Sequence, residues 1–340
     1  MPMAPVTDWY LGDDAHHNGA FFLADMFSFL ANFGRAREQP TTKIAWDFEP
    51  DITDIYEFFR RLGPLKNANE KYFHNRISFW DELLAHPNRD AWWEARDPRR
   101  HYKNVKPAVI VVGGWYDAED LWGALHTYQA MESQTQLRNR VSLVMGPWQH
   151  GGWHRTDGDR LGDISFGQKT SLAFQNEIEA PFFESHLKGN GSFKPAEAHI
   201  FVTGINEWRQ FSSWPPNAHN VSLYFSADEA LSKQPPSDDG ADAFVSDPKK
   251  PVPYFEAPTG EVDRSYLTGD QRFAARRPDV LIYETTTLAE DVTVAGPVTA
   301  NIWFATTGSD ADIVVKLVDV WPESAPEKSH GDRRALMRGY

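Results

Sequence analysis

The stretch Gly114-Trp115-Tyr116-Asp117-Ala118-Glu119-Asp120 decides the fold. Before it runs Pro-Ala-Val-Ile-Val-Val-Gly at 107–113, a short β-branched segment bounded by Pro and Gly. That pattern predicts a strand buried on both faces, as in a parallel sheet. After it, residues 121–131 place Leu121, Trp122, Leu125 and Tyr128 on one helical face. Asp117 therefore falls at the carboxyl end of a strand, in a strand-to-helix turn, where open α/β sheets bind ligands. A second unit follows. Val-Ser-Leu-Val-Met at 141–145 breaks at Gly-Pro-Trp-Gln-His-Gly-Gly, so His150 also lies just past a strand end. His150 follows Asp117 by 33 residues, the length of one strand–helix–strand crossover. Neighbouring parallel strands set their carboxyl ends side by side, so the two side chains are expected to meet. An acid and then a histidine at successive strand ends is the second half of the order Ser…Asp…His of α/β-hydrolases, with Asp117 orienting the imidazole and His150 relaying the proton.

Composition narrows the function classes. The 340 residues are enough for two or three domains, and 41% hydrophobic residues with 13 tryptophans supply sizeable cores. A net charge of −14 argues against nucleic acid or an anionic membrane as partner. With no cysteine, disulfides, thiol catalysis and Cys-ligated zinc are excluded. No apolar run reaches transmembrane length, and the first residues have neither the basic region nor the apolar core of a signal peptide. The compartment stays open.

Taken in order, residues 1–21 read as a part of the α/β core, opening on turn-rich polar sequence that concentrates Asp13, Asp14, His16 and His17. The two acids fit either a solvated turn or ligand-facing carboxylates. The two histidines have no partner at metal-ligand spacing, and no metal is expected. Residues 22–104 read as a helical cap, with apolar-aromatic segments at 21–30, 52–62 and 75–84 and no strand run between them. Residues 105–195 return to the core with the acid and histidine strands and then a helix from about 171 to 187. Residues 196–340 are short alternating runs (199–204, 220–225, 279–284, 291–295, 297–304, 312–319) separated by Pro/Asp/Gly turns, which predicts an all-β jelly roll. The nucleophile of such an enzyme sits on a Gly-x-Ser-x-Gly elbow ahead of the acid, and the sequence has none. Its first residues read as mid-fold, and the last run, 335–340, reads as stopping before a closing strand.

The segments Gly-Trp-Tyr-Asp117-Ala-Glu119-Asp120-Leu-Trp and Met-Gly-Pro-Trp-Gln-His150 resemble the acid and histidine segments of the X-Pro dipeptidyl-peptidase and cocaine esterase group of serine hydrolases. Within it they are most similar to the α-amino acid ester hydrolases and the glutaryl-7-aminocephalosporanic acid acylases. Gly-Asp13-Asp14-Ala-His-His-Asn-Gly-Ala-Phe at 12–21, the Pro-rich run at 245–253 and the Asp-rich run at 308–319 match as well. The resemblance implies an α/β-hydrolase core with a helical cap and a jelly-roll domain. It implies Asp117 and His150 as members of a Ser–His–Asp triad, no cofactor, and a small ester, amide or short-peptide substrate cleaved through an acyl-enzyme. Many members of the group are oligomers. It also implies a carboxylate cluster for the substrate's α-ammonium group, matching Glu119, Asp120 and, in the Gly-Asp-Asp stretch, Asp13, with Asp14 as the alternative. Without the resemblance, Glu119 and Asp120 read as first-turn acids complementing a helix dipole. The family's nucleophile segment and last strands have no counterpart here, so the chain is expected to be a fragment, inactive by itself. The rival reading is a non-catalytic jelly-roll binding module with a vestigial hydrolase site.

Overall fold

The computed structural model describes residues 1–37, 39–40, 42, 52–134, 140–262, 264–321 and 337–339. The chain starts beside the sheet it will later build. Residues 2–4 run parallel to the strand that carries Asp117: Ala4 N–H donates to Val112 O at 2.9 Å, and Val112 N–H donates to Pro2 O at 2.9 Å. The two-residue strands β1 (His16–His17) and β2 (Ala20–Phe21) form a hairpin.

The cap comes next: α1 (Leu23–Phe33), α2 (Ile55–Leu62), α3 (Asn67–Lys71), α4 (Ser78–Ala85) and α5 (Ala91–Glu94), then a 3₁₀ turn over Pro98–Asn104. Asp54 and Asp90 cap α2 and α5 by accepting from backbone N–H groups. Their apolar faces converge on one aromatic core that buries Met26, Phe27, Leu62, Phe73, Trp80 and Trp93. The helical segments expected at 21–30, 52–62 and 75–84 are α1, α2 and α4, each shifted by a few residues.

The central sheet is laid down after the cap. Strand β3 (Val109–Gly114) leads to α6 (Leu121–Glu132), then to β4 (Val141–Gly146), and both strands are buried at every position. They pair in parallel with Gly114 opposite Gly146. Alternate side chains feed two layers. Val109, Val111, Leu143 and Met145 pack on Tyr128 and Met131 of α6. Ile110, Val112 and Val144 face Trp148, Trp153, Phe174, Ile178 and Phe182. The last three come from the helical rod expected at 171–187. It comprises α8 (Thr170–Phe174), one π-helical turn (Gln175–Glu179) and α9 (Ala180–Lys188), and it follows the short α7 (Gly152–Arg155) and the hairpin β5 (Arg160–Leu161) with β6 (Ile164–Ser165).

The sheet extends further along the sequence than the run at 199–204 suggests. Strand β7 (Ala198–Val202) adds parallel to β4, and β8 (Glu207–Phe211) closes the edge antiparallel, giving the order β3-β4-β7-β8. The expected boundary at 195/196 therefore falls inside the α/β sheet. A short strand reads alike in either sheet, and here the pairing partner is β4. Past residue 218 little of the chain is in regular elements among the described residues. The regular pairings among the described residues are β9 (Tyr224–Ser226) with β10 (Ala230–Ser232), bridged to Glu284, and β11 (Val318–Val320) with β12 (Met337–Gly339). The runs at 291–295, 297–304 and 312–317 lie outside any ladder among the described residues, and Val294, Val298, Trp303 and Val314 face solvent. The remaining elements are a 3₁₀ turn at Tyr266–Thr268 and α10 (Arg272–Ala275). The expected end of the chain at 335–340 lies outside the described residues except for β12.

Candidate active site

The site is built where β3 and β4 end together. Their turns are locked to each other: Trp115 N–H donates to Gly146 O at 2.9 Å, and Tyr116 N–H donates to Trp148 O at 3.1 Å. Gly114 is required there, because a Cβ would stand 2.1 Å from the Trp148 carbonyl oxygen. The locked turns bring Asp117 and His150 together. His150 Nδ1 lies 3.1 Å from Asp117 Oδ2 and 3.3 Å from Oδ1. Asp117 Oδ1 also accepts from the backbone N–H groups of Glu119 at 2.9 Å and Asp120 at 3.1 Å, which fixes the carboxylate while its side chain is wholly buried. The imidazole is half-buried. Among the described residues no hydrogen bond engages Nε2, so that edge is open to a reacting group. Burial alone would lower the His150 pKa. The hydrogen bond and charge of Asp117, with Asp14 beyond it, outweigh burial and raise the pKa above the ordinary 6.5.

Around this pair stand more carboxylates. Asp120 Oδ2 lies 3.5 Å from His150 Nδ1, and its other oxygen is buried without a hydrogen-bond partner among the described residues. Burial, followed by the charges of Asp14, Asp117 and Asp13, pushes the Asp120 carboxyl to about 10, so it holds its proton at neutral pH. Asp14 is pushed to about 6, by burial first and then by Asp13, with His150 opposing. Asp14 sits in a left-handed turn with φ of 44°, and its N–H donates to Glu119 O at 3.3 Å, which sets it beside the acid turn.

Asp13 does not face the site. It is fully buried and both oxygens are engaged: Oδ2 receives Thr7 N–H at 2.8 Å, Thr7 Oγ1–H at 2.9 Å and Asp8 N–H at 3.0 Å, and Oδ1 receives Gly123 N–H at 2.6 Å. It staples the N-terminal loop to the first turn of α6. Gly123 permits this, since a Cβ there would stand 2.0 Å from Pro5 O and 2.7 Å from Asp13 Oδ1. Of the two acids named as candidates, Asp13 is thus engaged by the chain's own donors, while Asp14 lies beside the acid turn. In a turn there is no period to tell adjacent acids apart, and the donors around each one decide which is used up. Asp8, also buried, ties the same loop to the cap by accepting from Arg89 at 3.1 Å and Arg99 at 3.3 Å.

Glu119 does not project freely either. It pairs with the guanidinium of Arg264, which also meets Asp25 Oδ1 at 2.8 Å. Asp25 lies on α1 and Arg264 in the turn ahead of the Tyr266–Thr268 helix. Both were missed in the sequence. Asp25 had a usable signal, a lone carboxylate inside an apolar helix face, but Arg264 lies 145 residues beyond Glu119 in turn-rich sequence and had none. Tyr254 and Tyr266, with ring centroids 4.9 Å apart, complete this side, and burial raises the pKa of both phenols. His17, half-buried, contributes an imidazole near Asp117; burial lowers its pKa and the Asp117 charge opposes that. His16 packs among Tyr10, Phe21 and Trp93, and burial pushes it down to about 4.

Residues 1–152 match the model of the X-Pro dipeptidyl-peptidase (S15 family), and residues 190–340 match that of the X-Pro dipeptidyl-peptidase C-terminal non-catalytic domain. Cocaine esterase of Rhodococcus sp. (strain MB1 Bresler) is 28% identical over 257 residues, covering 72% of this chain and 43% of that protein. An aminopeptidase from a marine sediment Thaumarchaeota archaeon superposes with a TM-score of 0.86 at 32% identity, covering 99% of this chain and 56% of that one. An α-amino acid ester hydrolase superposes with a TM-score of 0.76 at 30% identity, over 85% and 48%. The fold is thus the α/β-hydrolase core with a C-terminal β domain. The chain spans about half the length of these relatives.

Proposed function

We propose that Asp117 and His150 are the acid and general base of a serine acyl hydrolase working through an acyl-enzyme, on esters, amides or short peptides whose acyl group carries an α-ammonium. The carrying observation is the Asp117–His150 hydrogen bond at the abutting ends of two parallel strands, with Nε2 left open. Nε2 takes the serine proton as the hydroxyl oxygen attacks the acyl carbon. It returns that proton to the leaving group as the bond to it breaks, then activates water to release the acid. Asp117, held by two backbone donors and Nδ1, keeps the imidazole oriented and stabilises its cation. The α-ammonium is received by Asp14 and Asp120, beside the imidazole. Crowded carboxylates are tolerable with a cation or a proton among them, and in the unliganded site the Asp120 proton fills that place. The names of the similar proteins, an esterase, an aminopeptidase and an α-amino acid ester hydrolase, fit this substrate class.

No Gly-x-Ser-x-Gly occurs in the 340 residues, so the proposal is that this chain supplies the acid, base and amine-binding half of the site. The test is p-nitrophenyl ester turnover together with fluorophosphonate labelling. The 340-residue chain should do neither. A longer chain that carries a Gly-x-Ser-x-Gly elbow ahead of these residues should do both, and His150→Ala or Asp117→Asn should cut its turnover by about a thousandfold or more. Turnover that survives His150→Ala would refute the reading.

A further inference from the structure

The segment carrying Arg264 belongs to the C-terminal half, yet it is anchored on the cap. Tyr56 Oη–H donates to Pro251 O at 2.8 Å, and Ile55 N–H donates to Thr259 O at 2.7 Å. Gly260 lies so close to α2's approach that a Cβ would stand 2.2 Å from Ile52 O. This strap delivers one guanidinium nitrogen, Nη1, to two carboxylates from different parts of the fold: Asp25 of the cap and Glu119 of the acid turn. The side chain of Arg264 is 40% exposed, so it borders open space rather than filling a sealed core.

A positive charge already stands inside the acidic cluster, then, and it comes from the chain itself. It divides the carboxylates into two kinds. Glu119 and Asp25 share a single tethered cation. Asp120 and Asp14 meet no guanidinium or ammonium among the described residues and face only the His150 imidazole, and Asp120 Oδ1 is buried with no hydrogen-bond partner among them, in a residue only 2% exposed. That leaves the Asp14–Asp120 pair, on the side of the imidazole, as the carboxylates without a tethered guanidinium. We propose that Arg264 is the specificity-determining residue of this site: it occupies the Glu119–Asp25 pair in place of an ammonium group, so that the pocket holds an acyl group bearing one positive charge and rejects one bearing two. This rests on the amine-binding reading above and assigns Glu119 differently, as the partner of Arg264 rather than of the substrate.

The test is calorimetric titration of the 340-residue chain with 2-phenylethylamine, a monocation with no scissile bond, and with phenylacetate as the anionic control. Arg264→Gln frees two carboxylates, so it should bind the amine about tenfold more tightly. Glu119→Gln leaves Arg264 paired with Asp25 alone, so the cluster carries one negative charge fewer, and it should weaken binding several-fold. The double variant, charge-balanced and therefore the safer one to fold, should return to within about threefold of the wild type, and Arg264→Lys should stay near it. A folded Arg264→Gln variant with no gain in affinity overturns the proposal. So does a double variant as weak as Glu119→Gln, which would mean that Glu119 itself pairs the amine. Asp14→Asn and Asp120→Asn separate this from the underlying reading. If either weakens the amine while Arg264→Gln gains nothing, only the role of Arg264 fails. If neither changes it, amine recognition fails as a whole.

Discussion

Replacing Asp120 by Asn tests the electrostatics of the site through stability alone, with no need for turnover. In the folded chain the Asp120 carboxyl titrates at about 10, against an ordinary 3.8. The folded state therefore binds a proton that the unfolded state releases anywhere between those values. Stability falls as pH rises wherever the folded state binds more protons, so the cost of Asp120 is absent below about pH 4, grows through neutrality and levels off near pH 10. The slope for one proton is about 1.4 kcal/mol per pH unit. At pH 7 the accumulated cost is about 4 kcal/mol, a large share of the roughly 5–15 kcal/mol that holds a domain folded. Asn keeps the shape of a protonated carboxyl and does not titrate. The variant should accordingly be more stable than the wild type, with the difference widening by about 4 kcal/mol between pH 5 and pH 8. Asp14 titrates in the same window, but burial and Asp13 perturb it in both proteins, so its contribution largely cancels in the difference. Urea unfolding of both proteins at pH 5, 6, 7 and 8 gives the measurement. A difference that stays flat with pH, or a variant less stable at pH 8, would show that Asp120 is ionised in the folded chain and would refute the proton-sharing account.

Two further outcomes follow from the geometry. The His150 imidazole should titrate above 6.5 by NMR, and Asp117→Asn should drop its midpoint below the wild-type value, because burial then acts with less opposition. Asp13→Ala should cost about 3 kcal/mol or more in urea unfolding, since it strands the buried N–H groups of Thr7, Asp8 and Gly123.

The acid and histidine were legible because they obey local rules. A β-branched run bounded by Pro and Gly fixes a buried strand, and strand ends in a parallel sheet coincide, so Asp117 and His150 needed nothing more distant than one crossover. The helices of the cap were legible by the same kind of periodicity. What escaped depended on partners. Asp13 and Asp14 are adjacent in a turn, and the backbone donors of Thr7, Asp8 and Gly123 separate them. The run 198–202 has the composition of any short strand, and only its pairing with β4 places it in the central sheet. Arg264 reaches Asp25 and Glu119 across most of the chain, and no pattern in its neighbourhood points there. Glu119, matched by resemblance to an amine-binding acid, was assigned without the cation that meets it.

The pairing of residues 2–4 with β3 has a consequence for how such a protein can change. The whole cap is a detour: it departs from one strand and rejoins the sheet in the next, so its two anchor points are hydrogen-bonded neighbours. The register that sets Asp117 on His150 lies on the opposite edge of β3, between Gly114 and Gly146. Lengthening or exchanging cap helices therefore need not disturb the Gly114–Gly146 register, and the Asp117–His150 contact can persist while the cap above the sheet changes.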